Sequence, residues 1–161
     1  MLQRDLLFDE YRDVVRPEWI DYSGHMNVGY FLLPFENASG AFFEHLDLSR
    51  AYRERTNHAL FAAETHIIFE REVGEGERLF FTTQLICWAP RWVNCIHSMY
   101  QVNGNHLAAT NQLLFVHVDL SSRRAAPMPK KRQAALAQMF ERHSRLPIPS
   151  QAGRSIKSNR T

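Results

Sequence analysis

The densest group of polar side chains in the sequence is the segment Trp19-Ile-Asp-Tyr-Ser-Gly-His-Met-Asn-Val28. Asp21 can attack as a nucleophile or deprotonate a water, and His25 can orient that carboxylate or take up a proton near neutral pH. A helix starting at Asn27 would present unpaired backbone N–H groups, which polarise an oxygen that becomes negative during a reaction. A carboxylate beside a polarised carbonyl is the minimum arrangement for acyl transfer.

The same segment also suits a purely structural role. An Asp-x-Ser-Gly turn before a helix is often only a capping turn, and Asn27 is a good N-cap residue. A single turn histidine such as His25 is more often hydrogen-bonded than catalytic. Spacing alone leaves both interpretations open.

The elements around this segment follow from the apolar pattern. Residues Tyr11 to Trp19 predict a first strand, and Val28 begins a helical pattern that ends near His45 to Leu48. Pro34 is tolerated if it falls in the first helical turn. Gly40 lies in mid-helix, where we expect it to allow close approach to a sheet.

Four strand-like runs follow a short polar stretch, Ser49 to Asn57, and no helical period separates them. Each connection contains turn-forming residues. The order of elements predicts an α+β domain in which one antiparallel sheet wraps around one long central helix. The four runs are Leu60 to Arg71, Arg78 to Trp88, Trp92 to Val102 and His106 to Leu120.

The C-terminal part carries a different composition. A basic helix is predicted over about Pro129 to Arg145, after the Ala126-Pro-Met-Pro129 break. We predict a main domain over residues 1–128, the basic helix within 129–146 and a flexible tail over 147–161. The chain has 9 basic and 16 acidic residues up to Ser122, and 10 basic residues with one acidic residue after it. The basic part could attract phosphates, but it lacks the interleaved aromatic residues of a nucleic-acid surface, so we expect no nucleic-acid partner.

Composition excludes several classes of protein. The 161 residues, 45% hydrophobic and 22% charged, are typical of one globular domain. No apolar run is long enough to span a membrane, the N-terminus lacks the pattern of a signal peptide, and Cys87 and Cys95 fit no metal spacing. We therefore expect a cytoplasmic protein.

Large apolar residues point to both sheet faces, which predicts a homodimer or homotetramer.

The segment Asp21-Tyr-Ser-Gly-His-Met-Asn27 resembles the Asp-x-x-Gly-His-Met-Asn motif of hotdog-fold acyl-CoA thioesterases of the 4-hydroxybenzoyl-CoA type. Other segments resemble the betainyl-CoA thioesterases of carnitine breakdown, and the likeness covers about residues 14 to 154. Those segments are Ala51-Tyr-Arg-Glu-Arg-Thr56, Glu64-Thr-His-Ile67, His97-Ser-Met-Tyr100, Leu114-Phe-Val-His-Val-Asp-Leu120 and Arg124-Ala-Ala-Pro127.

The resemblance implies that Asp21 is the catalytic carboxylate, as nucleophile or general base, and that the backbone N–H near Val28 polarises the thioester carbonyl. It also implies a site between two subunits, which Glu64 and His66 could complete. Ser23 stands where related thioesterases of acyl-carrier proteins have Asn, which makes a carrier-protein substrate less favoured. No cofactor and no metal are expected.

A betainyl group carries a trimethylammonium, which aromatic faces and nearby negative charge bind best. Trp19, Tyr22 and Tyr30 adjoin the motif and are our candidates. Basic residues are needed for the CoA phosphates, but spacing assigns none of the candidates, which are Arg53, Arg55, Arg91 and Lys130-Lys-Arg132.

The sequence thus predicts an acyl-CoA thioesterase that releases CoA and a free acid, with betainyl-CoA as the leading substrate. Two alternatives remain open: a thioesterase for aromatic or aliphatic acyl-CoA, and a non-catalytic domain that only binds acyl-CoA.

Overall fold

The strands of the computed structural model, which describes residues 6–156, form one antiparallel sheet. The order across the sheet is β1-β3-β4-β5-β2, and β6 pairs with β5. The predicted α+β architecture, with a long helix and a C-terminal helix, is confirmed. The strands β1 to β6 span Arg12–Val14, His58–Phe69, Arg78–Ala89, Trp92–Gln101, His106–Asp119 and Arg124–Ala125, and the helices α1 to α3 span Leu32–His45, Arg50–Thr56 and Lys130–His143.

The four long strands begin and end within two residues of their predicted bounds. Their connections contain the residues that tight turns require. Gly76 has a φ of 74° between β2 and β3, and Asn105 has a φ of 47° between β4 and β5. Glycine and asparagine adopt this left-handed backbone at low cost, so the sequence fixes where each strand reverses.

Helix α1 packs on the inner face of the sheet through aromatic side chains. The Phe35 ring meets the Phe81 ring edge to face at 5.7 Å, and Phe43 meets Phe115 in the same way at 4.7 Å. Phe35 and Phe42 are completely buried. Burying a phenylalanine side chain contributes about 1.5–3 kcal/mol, so this apolar stripe holds α1 on the sheet.

Two expectations about α1 have different outcomes. Pro34 falls in the first turn of α1, where its missing N–H leaves no internal hydrogen bond broken. The expectation for Gly40 is wrong, because this residue is exposed and a Cβ atom there would meet no atom within 4 Å. Ser39 makes the close approach instead, with its hydroxyl 2.9 Å from Nε2 of His97.

The predicted first strand is too long. Strand β1 covers only Arg12–Val14, and Pro17–Trp19 form a 3-10 turn. Proline fixes φ near the helical value and has no N–H for a strand partner, so Pro17 at the first turn position ends the extended segment.

The short polar stretch from Ser49 to Asn57, for which the sequence predicted no helix or strand, contains helix α2. Arg50 and Glu54 form an i,i+4 ion pair at 2.9 Å, and the buried Tyr52 has its hydroxyl 2.9 Å from Nε2 of His117. Asn57 ends the helix with a left-handed φ of 55°. Since Tyr52 is the single buried residue of this short helix, the sequence shows no apolar stripe that would have predicted it.

The outer face of the sheet is covered in part by the segment after α3. Gln84 Nε2 donates to the carbonyls of His143 and Pro147, and the backbone N–H of Gly153 donates to Gln112 Oε1 at 2.7 Å. Ile96, on this outer face, is 1% exposed. The chain therefore supplies part of the cover that the apolar outer face was predicted to obtain from a second subunit.

The predicted division into a domain over 1–128, a helix within 129–146 and a tail over 147–161 stays a prediction. Its first five and last five residues lie outside the described range. Among residues 6–156, no helix combines the length and apolar character needed to cross a membrane.

Candidate active site

The candidate catalytic segment folds as a closed turn. The backbone N–H of Asp21 donates to the carbonyl of His25 at 3.1 Å, and that of Gly24 donates to the carbonyl of Asp21 at 3.0 Å. Gly24 has a φ of 80°, which a residue with a side chain rarely adopts. The glycine of the motif therefore closes the turn and keeps the Asp21 side chain at its edge.

Hydrogen bonds to buried neighbours anchor both ends of the turn. The N–H of Asn27 donates to the carbonyl of Trp19, and the N–H of Met26 donates to the carbonyl of Val73, each at 2.8 Å. Trp19 and Met26 are 3% and 5% exposed. The polar turn is thus carried on apolar side chains that pack into the core beneath it.

The Asp21 carboxylate accepts hydrogen bonds on both oxygens. The hydroxyl and the backbone N–H of Ser23 donate to Oδ1 at 2.5 and 2.9 Å, and Asn27 Nδ2 donates to Oδ2 at 3.1 Å. These donors, above all the Ser23 hydroxyl, hold the pKa of Asp21 below its ordinary value. Asp21 is therefore ionised at neutral pH, and Oδ2, with one donor, keeps capacity for a water or a carbonyl carbon.

Asn27 joins the carboxylate to the start of the helical segment. Its Oδ1 accepts a hydrogen bond from the N–H of Gly29 at 2.8 Å, while its Nδ2 donates to Asp21. It caps a 3-10 turn, Val28–Tyr30, that leads directly into α1 at Leu32. The N–H of Val28 opens this turn, so the turn itself offers it no acceptor.

His25 contacts a different acid from the one predicted. Its Nε2 lies 3.2 Å from Glu72 Oε2, and no described hydrogen bond joins its ring to Asp21. The orienting groups of Asp21 are Ser23 and Asn27. The sequence did not identify Glu72, because it follows β2 and lies 47 positions after His25, with no local spacing to connect them.

Glu64 and His66 lie on the outer face of β2, where they oppose Leu114 and Gln112 of β5. Helix α1 packs on the opposite face, and no described contact joins either residue to Asp21. Within one chain these two residues are therefore separate from the turn. Their predicted part in the site requires a second copy of the chain.

The three aromatic candidates differ in access. Trp19 is buried, carries the Arg16 guanidinium 4.9 Å from its ring centroid and stacks with Tyr30 at 6.5 Å. Tyr22 is fully exposed on the turn, and Tyr30 is 38% exposed. Trp19 thus supports the turn from below, whereas the two tyrosines face solvent.

A cavity of about 230 Å³ adjoins the turn on the side of β2. It lies against Val28 and against His25, and its far wall is the end of β2 and the residues that follow. Phe31 and Phe69 meet edge to face within this wall, with ring centroids 5.0 Å apart. The lining residues are His25, Met26, Val28, Phe31, Phe69, Glu70, Arg71 and Glu72.

The candidate phosphate-binding residues differ in whether an acidic side chain already binds them. Arg55 and Arg132 both bind Asp47, Arg55 at 2.7 Å. Arg53 instead lines a cavity of about 540 Å³ with the exposed ring of Phe61 and with Arg123, which the sequence analysis did not name. Within residues 6–156, no three His, Cys, Asp or Glu side chains are grouped as metal ligands would be.

A buried polar chain holds α1 behind the site. The Ser39 hydroxyl donates to the carbonyl of Phe35 at 3.0 Å, so it can accept from His97 Nε2–H at 2.9 Å, and Thr83 Oγ1 donates to His97 Nδ1 at 2.8 Å. Burial lowers the pKa of His97 to about 3. His97 is therefore neutral, and it positions α1 without titrating near pH 7.

The chain is similar in sequence to proteins of known activity. A betainyl-CoA thioesterase of Pseudomonas aeruginosa is 34% identical over 146 residues, covering 91% of this chain and 92% of that protein. An L-carnitine dehydrogenase/betainyl-CoA thioesterase of Ruegeria pomeroyi is 33% identical over 87% of this chain, which spans only 28% of that longer protein.

Solved structures confirm the hotdog fold. A protein of Staphylococcus aureus, solved in complex with CoA, superposes with a TM-score of 0.87 at 22% identity, covering 94% of this chain and 95% of that one. A protein of Pseudomonas putida superposes with a TM-score of 0.81 at 27% identity over 94% and 97%. The model of the thioesterase-like superfamily matches residues 15–136. The chain belongs to the thioesterase-like superfamily.

Proposed function

We propose that this protein is an acyl-CoA thioesterase that hydrolyses betainyl-CoA to CoA and betaine. The observation that carries the proposal is the ionised Asp21 carboxylate, joined through Asn27 to the first N–H groups of the helical segment. The 34% identity to a betainyl-CoA thioesterase supports betainyl as the acyl group of the substrate.

The chemistry follows from the charges that develop. The Val28 N–H donates to the thioester oxygen as it becomes negative, and one such donor contributes about 3 kcal/mol to transition-state stabilisation. Asp21 either removes a proton from an attacking water or attacks the carbonyl carbon itself. In both routes the C–S bond breaks, and the thiolate of CoA leaves and takes up a proton. In the first route the acid forms directly from the added water. In the second route a water then hydrolyses the anhydride between Asp21 and the acyl group, which releases the acid and restores the Asp21 carboxylate.

A second copy of the chain is part of the proposal. Strand β2 is an edge strand of 12 residues, and such an edge readily pairs with another chain. Val28, Leu32, Leu33, Phe61 and Phe69 are large apolar side chains left exposed at the start of α1 and along β2. A homodimer or homotetramer would cover them and would bring the partner's Glu64 and His66 toward this site.

Arg53 and Arg123 are our preferred candidates for the CoA phosphates. They line one cavity, and none of the ion pairs among the described residues engages either of them. A guanidinium without an acidic partner remains free for bidentate phosphate contacts.

The cytoplasmic location expected from the sequence stays part of the proposal.

A thiol-release assay tests the proposal. Purified protein is mixed with betainyl-CoA, benzoyl-CoA and hexanoyl-CoA, and free CoA is measured with a thiol reagent. We expect the highest kcat/KM for betainyl-CoA. A higher value for benzoyl-CoA or hexanoyl-CoA would favour the aromatic or aliphatic alternative, and release from none of the esters, despite binding, would favour a non-catalytic acyl-CoA-binding domain.

A further inference from the structure

The cavity beside the Asp21 turn has walls of two kinds. The apolar lining residues are Met26, Val28, Phe31 and Phe69, and the Phe69 side chain is 45% exposed. The other side carries charged residues, two of which are glutamates. The cavity volume of about 230 Å³ is several times the ~30 Å³ that one water molecule occupies in the liquid. The cavity can therefore hold a compact organic group.

The aromatic wall suits a cation that cannot donate hydrogen bonds. A quaternary ammonium has no N–H, so hydrogen-bond acceptors do not orient it, and it binds instead to the negative faces of aromatic rings. Phe31 and Phe69 both line the cavity and meet edge to face at 82°, and the ring of Phe69 is the more exposed of the two. An alkyl group of the same shape would gain only the apolar contact.

The charged wall has a net negative charge. Glu72 is held by His25 at 3.2 Å, and Glu70 accepts a hydrogen bond from Gln151 at 2.9 Å. Arg71 lines the same cavity and offsets one of the two carboxylates. Of Glu70, Arg71 and Glu72, the two carboxylates outnumber the single guanidinium by one charge, which attracts a cation without fixing its orientation.

The position of the cavity matches the length of a betainyl group. One methylene separates the ammonium from the thioester carbonyl in this group, so the ammonium must bind immediately beside the carbonyl. Val28 supplies the N–H proposed to polarise that carbonyl, and its side chain lines the cavity. A carbonyl bound at the Val28 N–H would therefore lie beside this cavity, within reach of a short acyl substituent.

We propose that this cavity is the binding site for the trimethylammonium of the acyl group, with Phe31 and Phe69 as its aromatic contacts and Glu70 and Glu72 as its negative charges. This inference rests on the proposed function and deepens it, because it assigns the choice of a cationic acyl group to these four residues. It also gives His25 a positioning role, since its ring holds Glu72 at the cavity.

The test uses a neutral substrate of the same shape. In 3,3-dimethylbutanoyl-CoA a carbon atom replaces the ammonium nitrogen of betainyl-CoA, so the two esters differ mainly in charge. We expect the wild-type protein to have a kcat/KM at least about tenfold higher for betainyl-CoA. Glu72→Gln and Phe69→Leu should each reduce this ratio several-fold, and Glu70→Gln with Glu72→Gln should reduce it further.

The matched control is Glu75→Gln, which removes the charge of an exposed glutamate outside the cavity. It should leave the ratio at the wild-type value. An unchanged ratio in the Glu72→Gln and Phe69→Leu variants, with thiol release still measurable, would overturn the inference and leave the thioesterase proposal intact. Absence of thiol release from every ester by the wild-type protein would instead overturn the proposed function.

Discussion

The Asp21 turn and the buried interior both contain titratable groups with lowered pKa values, but the lowered values have opposite consequences. In the turn, hydrogen-bond donors favour the charged form of a carboxylate at the surface. Burial disfavours the charged form of His97 beneath α1 and of His143 at the end of α3, whose pKa values fall to about 3 and about 4. The turn keeps a charge available for chemistry, and the buried sites keep histidines neutral where α1 and α3 pack on the sheet.

We expect acid to destabilise the protein at pH values where the catalytic carboxylate is still ionised. The pKa of each buried histidine is lower in the folded state than the ordinary 6.5, so the unfolded chain binds protons first as the pH falls. Their contribution to stability is complete above about pH 6.5 and is lost progressively toward pH 4 and below. We expect the free energy of unfolding to decrease by roughly 3 kcal/mol between pH 8 and pH 5.

Urea unfolding at each pH, followed by circular dichroism, measures this decrease. A His143→Gln variant removes one of the two groups and should flatten the dependence on pH. Equal stability of the wild-type protein at pH 8 and pH 5 would show that folding does not lower the pKa values of these histidines.

Removing the buried imidazole sharpens the difference between the two regions. His97→Ala leaves a cavity beneath α1 and deprives Ser39 and Thr83 of their partner, so we expect a loss of about 3 kcal/mol in stability. The remaining folded protein should still release thiol, because His97 does not contact the turn. His45→Ala, at a partly exposed histidine, serves as control and should change stability by less than about 0.5 kcal/mol. Loss of all activity in correctly folded His97→Ala protein would contradict the separation.

Substitutions of Asn27 should have smaller effects on activity and stability, and they can separate its hydrogen bond to Asp21 from its capping of Gly29. Asn27→Ala removes both the donor to Asp21 and the cap to Gly29, which should lower kcat about tenfold and stability by about 1 kcal/mol. Asn27→Ser keeps a capping oxygen without the amide donor. It should regain most of the stability but not the rate, and recovery of both would show that Asn27 acts only as a cap.

Helix α1, the ends of the strands and the Asp21 segment could be predicted because each depends on residues close together in the sequence. The spacing of Phe35, Phe42 and Phe43 gave α1, and turn residues such as Gly76 marked the ends of the strands. The Asp21 segment was identified for the same reason, since Ser23 and Asn27 bind the carboxylate from two and six positions away.

The features that sequence analysis missed depend on contacts between distant positions. Glu72 meets His25 only because the chain after β2 returns beside the turn, as the bond from Met26 to Val73 shows. Helix α2 is stabilised by Tyr52 against His117 of β5. None of these contacts has a local spacing that could reveal it.

The most direct test of the central claim is Asp21→Asn. The amide has nearly the same shape but cannot act as a carboxylate base or nucleophile, so we expect thiol release from betainyl-CoA to fall by about 10²–10⁴-fold. Calorimetry should show that the variant still binds betainyl-CoA, and its unfolding should match that of the wild-type protein. A folded Asp21→Asn protein that releases thiol at the wild-type rate would contradict the account.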